Sequence, residues 1–121
     1  MDSSAKNIEK IKKDHQLYLN HNLIVKQAFV TKENMNTLLT ESGFIGKIGL
    51  LHIDIDGNDY WVWKEVNIID PDIVIMEYNS VFGDENHWTT PYDKDFDRQK
   101  AHYSFLYFGA SLPALCALAE E

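Results

Sequence analysis

In the stretch Leu51–Trp63, LHIDIDGNDYWVW, an apolar run ends in Asp54, Asp56, Asn58 and Asp59 around a single glycine, Gly57. It restarts at once with Tyr60, Trp61 and Trp63. Carboxylates at this spacing can hold a hard cation, orient a hydroxyl or take up a proton. A calcium loop fits poorly: an EF-hand places its turn glycine sixth, whereas Gly57 is fourth counting from Asp54. Gly57 is expected instead to supply an unusual backbone angle directly after a strand, with Asn58 or Asp59 capping the next helix. Turn and cap together would account for the polar residues from Gly57 onward. Asp54 and Asp56 precede the turn and are not needed for it.

A second acidic position follows in MEYNS. Glu77 stands where an apolar run emerges, and a carboxylate there must be paired, hydrated or metal-bound. With Asp54 it could form an oxygen-rich Mg²⁺ site to which Asn79 adds a neutral ligand. Hydrogen bonding to loop backbone is the competing reading. His52 interrupts LLHIDI and reads as a hydrogen-bonded core histidine before it reads as a base. His87 and His102 lie in a long polar region where a general base or a substrate contact is expected. That region, HWTTPYDKDFDRQKAHYSFLYF, mixes aromatics, carboxylates, hydroxyls and Arg98. Such a loop over a cleft suits a polar substrate such as a sugar, and suits equally a surface crossing or a partner interface. Tyr92, Arg98 and Tyr103 within it, together with Tyr60 and Asn79, are the candidate substrate contacts.

The elements that must position these groups alternate along the chain. Ser4 and Asn7, with Ala5, Ile8 and Ile11 at helical spacing, predict a capped helix whose lysines face solvent. NLIVKQAFV predicts a strand over Leu23–Val30. Thr31 is placed to cap a helix through KENMNTLLTES that Gly43 ends. KIGLLHIDI predicts a strand, DYWVWKEVNII a short helix broken by Pro71, and DIVIMEY a further strand. Ser111 opens a last helix with Pro113 in its first turn. IGLLHI and IVIM are continuous rather than alternating apolar runs, as in parallel strands covered on both faces. The expected fold is therefore α/β: a parallel sheet with helices on both faces, built from right-handed crossovers. In such sheets ligands gather outside the carboxyl ends of the strands, which is where Asp54, Asp56, Glu77 and Asn79 fall.

Composition narrows the classes. The 121 residues suffice for one modest domain. A net charge of −8 with scattered basic residues argues against sequence-independent nucleic-acid binding. No apolar run approaches the roughly 20 residues of a membrane span. A single cysteine, Cys116, fits a reducing compartment, and a cytoplasmic location is expected.

The combination of IDIDGNDYWVW, PDIVIMEYN, EYNSVFG and PYDKDFDRQKAHYSFLYFGASL resembles the FkbM-like family of S-adenosylmethionine-dependent methyltransferases, from Asp2 to the end of the chain. Members of that family often accompany surface-polysaccharide biosynthesis. The resemblance implies a Rossmann-like sheet and methyl transfer to a hydroxyl of a small polar or glycan acceptor. By the same resemblance, Asp2 closes a strand and binds the cofactor ribose, and Ala28 and Phe29 lie near the adenine. Asp54 sits close to the transferable methyl, and Glu77, Tyr78 and Asn79 lie on the acceptor side. Metal-assisted relatives of the wider fold would make Asp54, Glu77 and Asn79 a conditional Mg²⁺ set. His87 is a weaker candidate base than Asp54 is a positioning group. These proteins open with a strand and a glycine-rich turn and close with further strands, neither of which the 121 residues contain. The expectation is thus a partial methyltransferase domain over residues 1–121, its sheet edges and apolar surface exposed to self-association. The alternative is a catalytically inactive α/β module that binds a partner or forms homo-oligomers.

Overall fold

The computed structural model describes residues 1–14 and 23–121. They form two compact units, Met1–Val30 and Thr31–Glu121. In the first unit, α1 (Ala5–Asp14) starts where expected and buries Ile8. Asp2 secures its beginning: the carboxylate accepts the Ser4 backbone N–H at 2.7 Å and the Asn7 side-chain amide at 3.0 Å. The strand expected over Leu23–Val30 is reduced to one parallel bridge between Asp2 and Gln27. Strand composition alone does not make a ladder, and the short segment before α1 offers a partner for one bridge only.

The second unit runs α2 (Met35–Glu41), β1 (Gly46–Ile53), α3 (Asp59–Glu65), β2 (Ile69–Met76), a 3₁₀ turn (Ser80–Phe82), α4 (Arg98–Ala101) and α5 (Leu112–Ala119). α2 begins later than Thr31 because that residue is taken into a turn. Its carbonyl accepts the Asn34 and Met35 N–H groups, and Asn34 Oδ1 accepts the Thr31 N–H at 2.8 Å. Gly43 ends the α2 segment at φ 82°, a left-handed conformation that suits glycine.

β1 and β2 pair in parallel, in register from Gly46↔Ile69 to Ile53↔Met76, with α3 as the crossover between them. α3 stops at Glu65, earlier than the sequence suggests, because Val66 turns to extended backbone. Pro71 consequently lies inside β2 opposite Ile48 and breaks no helix. Among the described residues β2 is an edge strand, where a missing N–H is tolerated.

One sheet face is covered. Leu51 and Ile53 are buried on it, and Met76 packs with Tyr60 and Trp63 against Ala110, Ala114 and Leu115. Val62 of α3 is fully enclosed. The other face, where helices were also expected, is open: Leu50, Ile73 and Ile75 keep about half of their surface exposed. His52 lies there too, opposite Ile75, and is exposed rather than a core histidine. A parallel pair with one bare apolar face departs from the usual coverage of such sheets. No helix among the described residues is long and apolar enough to cross a membrane.

Candidate functional site

The turn after β1 is organised by Asp59. Only 2% exposed, its carboxylate accepts the N–H groups of Ile55 and Gly57, each at 2.9 Å. Asp59 thus binds back to the turn instead of capping α3, and the N-cap residue Asn58 makes no capping bond through its side chain. The unusual backbone angle falls on Asp56, at φ 60°, and not on Gly57. Gly57 is required for space instead, since a Cβ there would coincide with the Phe96 ring. Gly57→Ala should cost about 1–2 kcal/mol through overpacking. In urea melts, Phe96→Ala should be less damaging beside Gly57→Ala than alone; strictly additive losses would remove the proposed contact.

The two strand ends meet as their polarity requires. Asp54, Asp56 and Glu77 each present a carboxylate oxygen within 4.8 Å of the others. Arg98 of α4 enters this group, with Nη1 at 2.7 Å from Asp56 Oδ1 and 3.9 Å from Glu77 Oε2. Its Nε–H donates to the Phe105 carbonyl at 2.9 Å, and its guanidinium lies 3.5 Å over the Phe108 ring. Burial raises the Glu77 pKa above the ordinary glutamate value; repulsion from Asp54 adds to this and Arg98 opposes it. A carboxyl so placed can exchange a proton nearer neutrality than a free glutamate.

Asn79 is 2% exposed and uses its whole amide on the loop. Its nitrogen donates to the carbonyls of Leu106 at 2.8 Å and Phe108 at 2.9 Å, and its oxygen accepts the Val81 N–H at 3.0 Å. The amide expected as a metal ligand or substrate contact therefore serves as a backbone clamp. Trp61 Nε1–H donates to the Thr90 carbonyl and Asn58 Nδ2 to that of Asp93, which fixes the preceding part of the same loop to α3. Among the described residues the buried Asn58 oxygen has no hydrogen-bond partner.

The remaining candidates are dispersed. Tyr60 is partly buried, packed against Ala110, Ala114 and Leu115. The Tyr92 hydroxyl donates to Glu33 at 2.5 Å under the Lys32 ammonium, an arrangement that ties down the start of the unit. Tyr103 is 88% exposed, tilted against His102. His87 is exposed, and among the described residues no histidine joins the acidic cluster. In the first unit Asp2 and Ala28 are joined by the bond from Ala28 N–H to the Asp2 carbonyl, with Phe29 exposed beside them. Hydrogen bonds from Asn7 and Ser4 hold the Asp2 carboxyl below its ordinary range. A groove of about 750 Å³ and mixed polarity lies elsewhere, lined among others by Trp63, Lys64, Met76, Leu112, Leu115 and Glu121 and by none of the three acids.

Asp56 had no assigned role in the sequence reading, although the alternation Asp54-Ile55-Asp56 was the available signal. Asp59 as organiser of the turn left no signal beyond its proximity to Gly57. The cluster's oxygen donors are of the hard type that Mg²⁺ takes, and their negative charge equally suits a sulfonium or another organic cation. Compared with models of protein families, with curated proteins and with solved structures, the chain matches none.

Proposed function

We propose that the chain is part of a Rossmann-like, S-adenosylmethionine-dependent methyltransferase domain of the FkbM-like type, working in the cytoplasm on a hydroxyl of a polar or glycan acceptor. The observation that supports this reading most is the meeting of Asp54 and Glu77 at adjacent carboxyl ends of two parallel strands. That rim is where ligands bind in open α/β sheets. When bound, the cofactor would supply a methyl carried on a sulfonium for transfer to an acceptor oxygen, leaving as the neutral thioether. Asp54 would offer negative charge toward a bound sulfonium and orient the acceptor. Glu77, with its raised pKa, takes up the hydroxyl proton. Alignment of this kind can contribute roughly 7–11 kcal/mol to a barrier. Were Mg²⁺ used, Asp54, Asp56 and Glu77 would hold it, and Arg98 would first have to yield Asp56.

Calorimetric titration with S-adenosylmethionine and with its demethylated product tests the reading. Saturable binding of both is expected, weakened at least about ten-fold, or 1.4 kcal/mol, by Asp54→Ala. The melting temperature of Asp54→Ala should stay close to that of the parent, because Asp54 is exposed. No heat from either compound at millimolar concentration would remove the methyl-transfer reading. The bare face with Leu50, Ile73 and Ile75 favours the second reading, an inactive module that self-associates. Sedimentation of a stable oligomer, with no cofactor binding, would select it.

A further inference from the structure

Arg98 does more than neutralise the acidic rim. Its guanidinium bonds both of the non-glycine residues held at left-handed φ among those described: Asp56 at 60° through its carboxylate, and Phe105 at 58° through its carbonyl. Such backbone conformations are unfavourable for residues with a Cβ and persist only where surrounding contacts impose them. The same side chain also rests on the Phe108 ring.

The segment between Asp97 and Phe105 is otherwise bonded to itself. Asp97 caps Gln99 and pairs with Lys100, His102 Nδ1 meets Ser104 Oγ, and the Phe105 N–H donates to the His102 carbonyl. Among the described residues, its polar links to the rest of the unit run through Arg98, apart from the Leu106 N–H, next along the chain, which donates to Ser104 Oγ at 3.2 Å. Both flanks, by contrast, are anchored by neutral, enclosed contacts. Upstream, Asn58 bonds the Asp93 carbonyl and Phe96 lies directly over Gly57. Downstream, Asn79 bonds the Leu106 and Phe108 carbonyls.

We infer that Arg98 is a releasable latch. With its guanidinium seated, Asp97–Phe105 is held as a strap at the carboxyl ends of β1 and β2; with it unseated, the strap opens while its two anchors hold. Opening frees Asp56 and Glu77 of their cation and carries the exposed Tyr103 away with the strap. The inference stands whatever chemistry the rim performs, so it does not share the fate of the methyl-transfer reading. The Asp56 side chain is 67% exposed, so this pair is screened by salt, whereas the Asn79 anchor is not.

Hydrogen exchange resolved by peptide tests it on the whole chain. In Arg98→Met, amides from Gln99 to Leu106 should exchange about ten-fold faster, the loss expected when a charge-assisted link is removed from a locally opening segment. Amides of β1 and β2, and the Gly109 N–H bonded to the Gly57 carbonyl, should stay within about two-fold of the parent. Arg98→Lys should rescue only part of the effect, because an ammonium lacks the planar fork that serves Asp56 and Phe105 together. Asp56→Asn weakens the same link from the other side by removing its negative charge and should accelerate the same amides, by less than Arg98→Met; it decides the matter if Arg98→Met does not fold. Unchanged strap exchange in the folded variants would overturn the latch. So would equal acceleration across β1 and β2, which would make Arg98 a support of the whole unit.

Discussion

Asn79→Ala should destabilise the second unit by about 3 kcal/mol or more, a large share of the roughly 5–15 kcal/mol that holds a domain folded. The reason is what the truncation leaves behind. The Leu106 and Phe108 carbonyls and the Val81 N–H each lose a partner at 3.0 Å or less. A buried polar group left unpaired costs about 1–3 kcal/mol, far more than the net gain from making its bond. Alanine also leaves space that water can enter, so the upper end of the summed penalty is not reached. Asn79→Asp separates hydrogen bonding from size. The introduced carboxyl keeps the acceptor for Val81 but turns negative oxygen toward two carbonyls, in a site almost closed to water. At neutral pH it should be at least as damaging as alanine. It should recover as the pH falls and the carboxyl gains a proton to donate. Urea denaturation of both variants at pH 5 and pH 7 reads this directly. A variant within 1 kcal/mol of the parent would show that the loop does not depend on the clamp.

The clamp also explains which parts of the fold were legible in the sequence. Continuous apolar runs, IGLLHI and IVIM, identify strands of a parallel arrangement, and β1 and β2 pair in parallel, although the enclosure such runs imply is met on one face only. Parallel polarity then obliges Asp54 and Glu77 to emerge at one end, so the meeting of the carboxylates follows from residue pattern and topology alone. The bonds of Asn79 to Leu106 and Phe108 cross 27 and 29 residues and carry no local pattern. Pro71 misleads because its local rule, stopping a helix, is satisfied equally well by an edge strand. Leu23–Val30 has strand composition, but whether a ladder forms depends on a neighbour that composition does not reveal. Gly57 was recognised as necessary for the wrong reason: the ring that excludes a side chain, Phe96, lies 39 residues later in the sequence. Asp56, with a short polar side chain that tolerates left-handed backbone, took the strained angle instead.

Asp59→Ala should cost about 3 kcal/mol, since it leaves the Ile55 and Gly57 N–H groups without the carboxylate that each now reaches at 2.9 Å. Asp59→Asn keeps the volume and supplies one acceptor oxygen, so it should cost less and serves better for reading charge. Burial raises the Asp59 pKa above its ordinary value, with the amide bonds from Ile55 and Gly57 pulling the other way. The linkage has a definite sign. A carboxyl whose folded pKa is raised adds stability that is fully present below its unfolded pKa, about 3.9, and is lost as pH rises through the folded value. The stability gap between the parent and Asp59→Asn should therefore narrow between pH 4 and pH 7. Glu77 has a pKa raised in the same direction but is present in both proteins, so the difference isolates Asp59 apart from their weak mutual repulsion. Chemical denaturation at several pH values in this window gives the gap. If it widened with rising pH, the two amide bonds would outweigh desolvation, and Asp59 would hold the turn as a fully charged anchor. The turn carries Asp54 and Asp56 to the rim, so the balance at one enclosed carboxyl also sets how firmly the outer two are held.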